Sequence, residues 1–413
     1  MNILILNPGG NSLKAEIVVC QPHQQHAFDG TKLISVIIEG IGKEPMLSKY
    51  HGRKTVSSEL IAARDYGQAG DSLFEWLHRP HDEDLPQLEE IDCAGIRVVH
   101  GGLHFSAPAL IDAEVERVIA ELEKLAPLHN KSSLEVLAPL RKQLRDVPVY
   151  GVFDTAFHRT IPDHAALYAI PPELAGKHHI RRYGFHGISH RYLLHRYAQL
   201  AGKPVDLCTI ITMHLESGCS VTAIRDGRSV DNTMGLTPLE GLMMGTRSGD
   251  VDPSLVPFLM REANFTVDEV MTLLNKKSGL LGVSGESLDT RILMKHYDSN
   301  PRVRLAMEMF SYRVLKAVGG YLAGMGGAEA VIFGGGIAEN TGFFRSRIGE
   351  GLRWSGLDLD PEANEKLIDM ERRLSYENSR LQAWVIPVEE GLQIAHECCR
   401  AHASAHAGSI QAA

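Results

Sequence analysis

The chain has 413 residues, 44% of them hydrophobic, and a formal net charge of −9. Chains of this length usually divide into more than one core. The acidic balance speaks against a general nucleic-acid binder, so an anionic substrate would need a local concentration of Arg, Lys or helix N-termini.

The first ten residues, MNILILNPGG, carry no basic segment, and Pro8-Gly9-Gly10 ends the apolar run, so no signal peptide is expected. No apolar stretch approaches a membrane span. Six scattered cysteines (Cys20, Cys93, Cys208, Cys219, Cys398, Cys399) show no CxxC pair or metal spacing. Reduced thiols in a cytoplasmic protein are the expectation.

Residues 2–6 read as a buried strand, followed by a Gly-rich turn and a second apolar run over 13–19. A similar strand, Gly/Ser turn and strand return at 209–224, and aligning the two places Gly10 over Gly218 and Ser12 over Ser220. That pattern points to a duplicated fold. Val115, Val118, Ile119, Leu122 and Leu125 follow helical spacing up to Ala126-Pro127. Ser132-Ser133-Leu134-Glu135 offers a capping box for the next helix. Strands are expected at 149–153 and 330–333, with a helix at 303–322 between them. The alternation predicts an α/β protein. A domain boundary is expected near residue 150, and the polar tail after Ala401 is expected to fray.

Six segments could carry chemistry. Asn7-Pro8-Gly9-Gly10-Asn11-Ser12-Leu13-Lys14 could bring backbone N–H groups, a hydroxyl and a cation to an anion, although a plain hairpin reads equally well. Arg97 stands on an apolar strand, where a guanidinium either binds an anion or forms a salt bridge. The segment 126–130 (APLHN) contains His129. Asp154 ends a strand, the edge at which α/β sheets place ligands. Residues 181–190 concentrate cations, aromatics and histidines. Residues 231–253 are too rich in Gly, Thr and Pro for a helix and too long for an idle connection, and Arg247 sits there between Gly245-Thr246 and Ser248-Gly249. The histidines lack zinc spacing, and neither a GxSxG elbow nor a Rossmann GxGxxG is present.

Taken in order, APLHN, VFDTAFH, RRYGFHG-ISH and GLTPLEGLMMGTRSGDVDP resemble the acetate kinase family, and the similarity runs from Asn7 to Glu390. The resemblance implies two duplicated actin-like (ribonuclease H-like) α/β domains around a nucleotide cleft. Residues 1–150, completed by 385–413, would form one domain, and 151–384 the other. It further implies a homodimer that transfers a phosphoryl group from ATP to acetate in line, with Mg²⁺ (or Mn²⁺). Neither nucleic acid nor membrane would be a partner.

Roles follow residue by residue from the same resemblance. Arg97 and Arg247 would bind carboxylate and phosphoryl oxygens, and His186 would donate to the transition state, supported by His129. Asp154 would orient an Arg or a metal-bound water. Asn7 and Glu390 would lie on the metal side. Val99, Leu128, Phe185 and Pro238 would line the acyl pocket with Arg97. The nucleotide would meet Ser12, Lys14, His214, Glu216, Ser217, Gly218, Ser287, Asp289, Arg291, Gly334, Gly335, Gly336, Ile337 and Asn340.

The chain also departs from the family's usual NAGSSSLK, HLGNG and TAGIGEN segments. Glu216 puts a carboxylate in a turn that should approach ATP phosphates. Two like charges about 4 Å apart repel by about 4 kcal/mol at an effective dielectric near 20. Propionate or butyrate as acceptor, pyrophosphate as donor, and a non-catalytic actin-like nucleotide switch are the alternatives.

Overall fold

The computed structural model describes residues 1–21, 30–52, 54–79, 85–124, 130–365 and 370–411, with side chains to residue 405. The chain divides into two compact units, 1–157 with 389–413, and 158–388.

The first unit is built on an eight-stranded sheet of order β5-β4-β3-β2-β1-β6-β8-β7. Its strands are β1 (Asn2–Pro8), β2 (Ser12–Val19), β3 (Thr31–Glu39), β4 (Met46–His51), β5 (Lys54–Leu60), β6 (Cys93–Val98), β7 (Ala109–Leu110) and β8 (Val149–Phe153). β1 is central, antiparallel to β2 and parallel to β6. Both its faces are covered, and for that reason NILIL is a continuous apolar run rather than an alternating one. The helix Glu390–Gln411 returns to cover this sheet. Gly95 on β6 permits the approach, since a Cβ there would sit 2.6 Å from Cys398 Sγ and 2.8 Å from Ile394 Cγ2. Burial of a side chain such as Ile394, fully enclosed, is worth about 1.5–3 kcal/mol.

The second unit carries a six-stranded sheet of order β11-β10-β9-β12-β14-β13. It comprises β9 (Ile210–Leu215), β10 (Cys219–Arg225), β11 (Arg228–Asn232), β12 (Ala330–Gly334), β13 (Arg372–Arg373) and β14 (Gln382–Val385). The series β11-β10-β9-β12-β14 repeats the directions of β3-β2-β1-β6-β8: two antiparallel pairings, then two parallel ones. The duplication expected from the two hairpins is therefore a duplication of sheet topology. The long helix Pro301–Met325 covers the expected 303–322, with an Asn300 N-cap and a left-handed Gly326 ending it.

Three local expectations are corrected. Pro8 pairs with Leu13 while Leu215 pairs with Cys219, so Ser12 corresponds to Gly218 and Lys14 to Ser220, two residues away from the letter alignment. Recurring Gly and Ser letters misled because register is set by the ladder rather than by composition. Ser132 does not cap a helix, since the helix Asn130–Gln143 has already begun. The chain past Ala401 is helical rather than irregular, because its alanines favour helix and the last helix runs to Gln411. All six cysteines are buried free thiols, and no helix among the described residues is long and apolar enough to cross a membrane.

Candidate active site

In the first unit, four of the expected residues meet at the ends of β1, β6 and β8. Arg97 donates through Nε and Nη2 to Asp154 Oδ2, at 3.0 and 2.6 Å. Its Nη1 donates to Asn7 Oδ1 at 3.1 Å, and Asn7 Nδ2 donates to Glu390 Oε2 at 2.7 Å. Glu390 Oε2 lies 3.8 Å from Arg97 Nη1. Asp154 is buried, and the Arg97 side chain is 14% exposed, so the guanidinium is paired with its neighbours and partly reached by solvent. Val99 follows this strand and is buried.

Glu16 lies against the start of the last helix, at Gly391. Burial raises its carboxyl, but Lys14 and Lys32 outweigh that and hold it below the usual range. Its Oε1 lies 3.1 Å from Lys14 Nζ and 2.7 Å from Lys32 Nζ. Its Oε2 fills the space where a Cβ on Gly391 would sit, 1.6 Å away. A negative charge at the first turn of a helix of this length is stabilising. Lys14 is thus engaged by Glu16, one strand pairing away from Asn7. Ser12 closes the turn, its carbonyl accepting from Gly9 N at 2.7 Å. Leu128 and His129 lie outside the described residues.

In the second unit, His186 precedes the helix Gly187–Leu200 with φ 56°, left-handed for a residue that bears a Cβ. Such strain persists where the surroundings impose it, commonly at functional sites. Its Nδ1 is 2.9 Å from Ser220 Oγ, and its ring lies 4.4 Å from that of His214, tilted by 42°. Gly218 faces both key side chains: a Cβ there would lie 3.2 Å from His186 Nε2 and 3.5 Å from Arg247 Nη1. Arg247 Nη1 donates to the Pro238 carbonyl at 3.2 Å. No acidic partner of Arg247 occurs among the described residues, where its Nη1 meets the Pro238 carbonyl and Met244 Sδ, and burial lowers the affinity of its guanidinium for a proton. A desolvated cation held beside a glycine turn is well disposed toward an oxyanion.

Residues 233–254 form neither helix nor strand, and a polar network holds them. Arg182 reaches Glu240 at 2.7 Å and the carbonyls of Asn232 and Thr233, while Tyr168 OH donates to Glu240 and accepts from Leu236 N. Sequence reasoning missed Glu240 and Tyr168, whose partners lie more than fifty residues away. Phe185 is buried, and its carbonyl accepts from His158 Nε2 at 2.9 Å.

The nucleotide candidates of this unit also converge. Gly334 pairs with His214 across β12 and β9, so the glycine loop and the 214–218 turn share one end of the sheet. Gly335 has φ +85°, and a Cβ on it would strike the Leu215 carbonyl at 2.6 Å. Glu339, which the sequence reading passed over, accepts from Gly335 N at 3.0 Å and Val388 N at 3.1 Å. Gly336 and Ile337 open the short helix that ends at Asn340, whose Nδ2 donates to the Gly336 carbonyl. Ser287 Oγ accepts from Asp289 N, and Asp289 grips Arg291 at 2.7 Å. Gly245 N donates to the Ser217 carbonyl at 3.3 Å, and a Cβ on Gly245 would lie 3.5 Å from Leu288 Cβ, which ties the three segments together. Glu216 is 61% exposed, with Oε2 3.6 Å from His214 Nε2.

Comparison with known proteins gives one answer. The acetokinase family matches residues 2–396. A Solibacter usitatus protein named acetate kinase is 42% identical, with 97% of this chain and 98% of the relative aligned. One from Halothermothrix orenii is 43% identical over 97% and 99%. Among solved structures, a Porphyromonas gingivalis acetate kinase superposes with a TM-score of 0.87 at 37% identity, covering 95% of this chain and 98% of that one. A Francisella tularensis propionate kinase gives 0.86 at 36% identity, covering 96% and 98%. The chain belongs to the acetokinase family.

Proposed function

We propose that the protein is an acetate kinase, which transfers a phosphoryl group reversibly between ATP and acetate. The observation that carries this reading is Arg247: a desolvated guanidinium with no acidic partner among the described residues, beside His186 and the Gly218 turn, at the sheet end that also bears the glycine loop. A carboxylate acceptor is already ionised near neutral pH, so the reaction needs no general base. It needs cations and N–H donors to bring two anions together and to stabilise charge on the transferring group. Arg247 and His186 supply these in one unit. Arg97, fixed by Asp154 and Asn7, supplies a cation in the other. Direct in-line transfer fits a site whose Arg and His side chains offer donors to the transferring group.

Asn7 Oδ1, Glu390 and Asp154 are hard oxygen donors of the kind Mg²⁺ takes. No three His, Cys, Asp or Glu side chains gather as a metal-holding group among the described residues. Asn7 and Glu390 would therefore hold the ion through water, with phosphate oxygens completing its shell. When bound, it neutralises phosphate charge during transfer. A homodimer and a cytoplasmic setting belong to the same reading and rest on the family resemblance.

Val99 is β-branched and buried, and in this reading its short, stiff side chain at the acyl group favours acetate over propionate. Acyl phosphate trapped as hydroxamate tests the whole reading, with ATP or pyrophosphate as donor and acetate, propionate or butyrate as acceptor. ATP with acetate should give the highest kcat/KM. No product from ATP with any of the acids would overturn the proposal, and product from pyrophosphate alone would replace the donor.

A further inference from the structure

Behind His186 lies a continuous chain of side chains. The Ser220 hydroxyl that contacts His186 Nδ1 at 2.9 Å is also 2.7 Å from Nε2 of His190. His190 Nδ1 is in turn 2.7 Å from Thr212 Oγ1. Ser220, His190 and Thr212 are fully buried, so bulk water does not compete for these bonds.

Counting protons limits what the chain can do. A serine hydroxyl has one proton to donate. Burial, then the fields of His158 and His214, hold His190 neutral, so it carries one N–H and one bare nitrogen. Two arrangements satisfy all three bonds. In the first, Thr212 donates to His190 Nδ1, His190 Nε2–H donates to Ser220, and Ser220 donates to His186 Nδ1. The proton of His186 then sits on Nε2. In the second, every donor is reversed, and Nε2 of His186 is bare unless that ring becomes a cation.

Arg247 beside Nε2 makes an imidazolium unfavourable. Of the two neutral arrangements, it is the proposed phosphotransfer, which needs a donor at Nε2, that calls for the first. Arg247 Nη1 and His186 Nε2 border the same point beside Gly218, so a second full cation there meets the guanidinium. The rings of His214 and His158 face His186 and His190 from β9 and from the 156–160 turn. Cys219 on β10 is uncharged, burial pushing its thiol up to about 12. Among the described residues, Glu216 is an acid near this group, and it is exposed and turned to His214. A bare Nε2 would direct a lone pair at phosphoryl oxygens, whereas a neutral Nε2–H directs a donor.

We propose that Ser220 is a positioning residue: backed by His190 and Thr212, it donates to His186 Nδ1 and keeps the His186 proton on Nε2, where the phosphoryl group is met. This rests on the phosphotransfer reading above and names how its donor is prepared. A donor fixed in advance does not reorganise as charge develops.

The test uses the full chain labelled with ¹⁵N-histidine, His186 being assigned by its loss in His186→Gln. The wild type should show a protonated Nε2 and an unprotonated Nδ1 at pH 7.5. Ser220→Ala should move His186 toward mixed tautomers and lower kcat about 10- to 100-fold, with KM for acetate and ATP within about twofold. Thr212→Val, which removes the far donor alone, should give a smaller change in the same direction, and it carries the test if Ser220→Ala does not fold. An Nδ1-protonated ring in the wild type, or an unchanged tautomer and kcat in a folded Ser220→Ala, would overturn the proposal. The tautomer is read without turnover. An inactive wild type whose ring still responds to Ser220→Ala would uphold the relay and remove the phosphotransfer reading instead.

Discussion

Arg97 places two of its donors, Nε and Nη2, on a single oxygen of Asp154, at 3.0 and 2.6 Å. That leaves Nη1 for Asn7 and fixes the plane of the guanidinium. Asp154 therefore acts on Arg97 as an anchor. Asp154→Ala would strand a largely buried cation, a loss of about 3 kcal/mol measurable as a lower urea midpoint. Asp154→Asn keeps the shape and should still lower kcat/KM by about 10²-fold, since the loosened guanidinium no longer holds its pose. Near-normal activity in the Asn variant would remove Asp154 from this role.

Glu216 looked costly from the sequence, at about 4 kcal/mol if it stood against a phosphate. Its 61% exposure and its reach toward His214 reduce that sharply, because solvent screens it. Glu216→Gln should lower KM for ATP by no more than about fivefold at low salt, and the difference should shrink as ionic strength rises. A rise in KM for ATP would mean that the carboxylate assists binding, for instance through the metal.

His158 and His100 are buried, and burial pushes each imidazole down to about 4 from 6.5, while His190 is pushed well below its usual range. The unfolded chain takes up protons as pH falls through 6.5 and the folded chain does not. Their stability is present in full above 6.5 and is lost as pH falls toward 4, by about 3 kcal/mol for a shift of this size. Urea unfolding at pH 7.5, 6.0 and 5.0 should show a progressive decline before most carboxylates titrate. A flat profile over that window would contradict the burial of these rings.

Gly335 and Gly336 are neighbours with opposite tolerance. A Cβ on Gly335 meets the Leu215 carbonyl at 2.6 Å with φ at +85°, whereas the nearest atom to one on Gly336 is 3.9 Å away. Gly335→Ala should cost about 1–3 kcal/mol and raise KM for ATP, by moving the glycine loop off the 214–218 turn. Gly336→Ala should leave stability within about 1 kcal/mol. Equal effects of the two changes on thermal unfolding would contradict this loop geometry.

Much of this was legible in the chain because it is local. NILIL, the 149–153 strand, the long helix and the loop containing Arg247 announce themselves through apolar runs, capping residues or a lack of either. Arg97, Asp154, Asn7 and Glu390 were individually visible, yet nothing local pairs residues separated by 57 or 383 positions. Hairpin register was misjudged because Gly and Ser mark a turn without fixing which residues oppose each other. The roles of Glu339, Glu240 and Ser220 were not legible for a related reason: each acts through backbone, side-chain or ring atoms that folding alone brings near.

The most direct test of the central claim is ³¹P NMR of acetyl phosphate with Mg²⁺-ADP and purified protein, wild type beside Arg247→Ala. The wild type should convert the acyl phosphate resonance into that of the ATP γ-phosphate. The variant, folded by circular dichroism, should be slower by about 10²–10³-fold. No ATP from the wild type, or an undiminished rate in the variant, would contradict the assignment of phosphoryl transfer to this site.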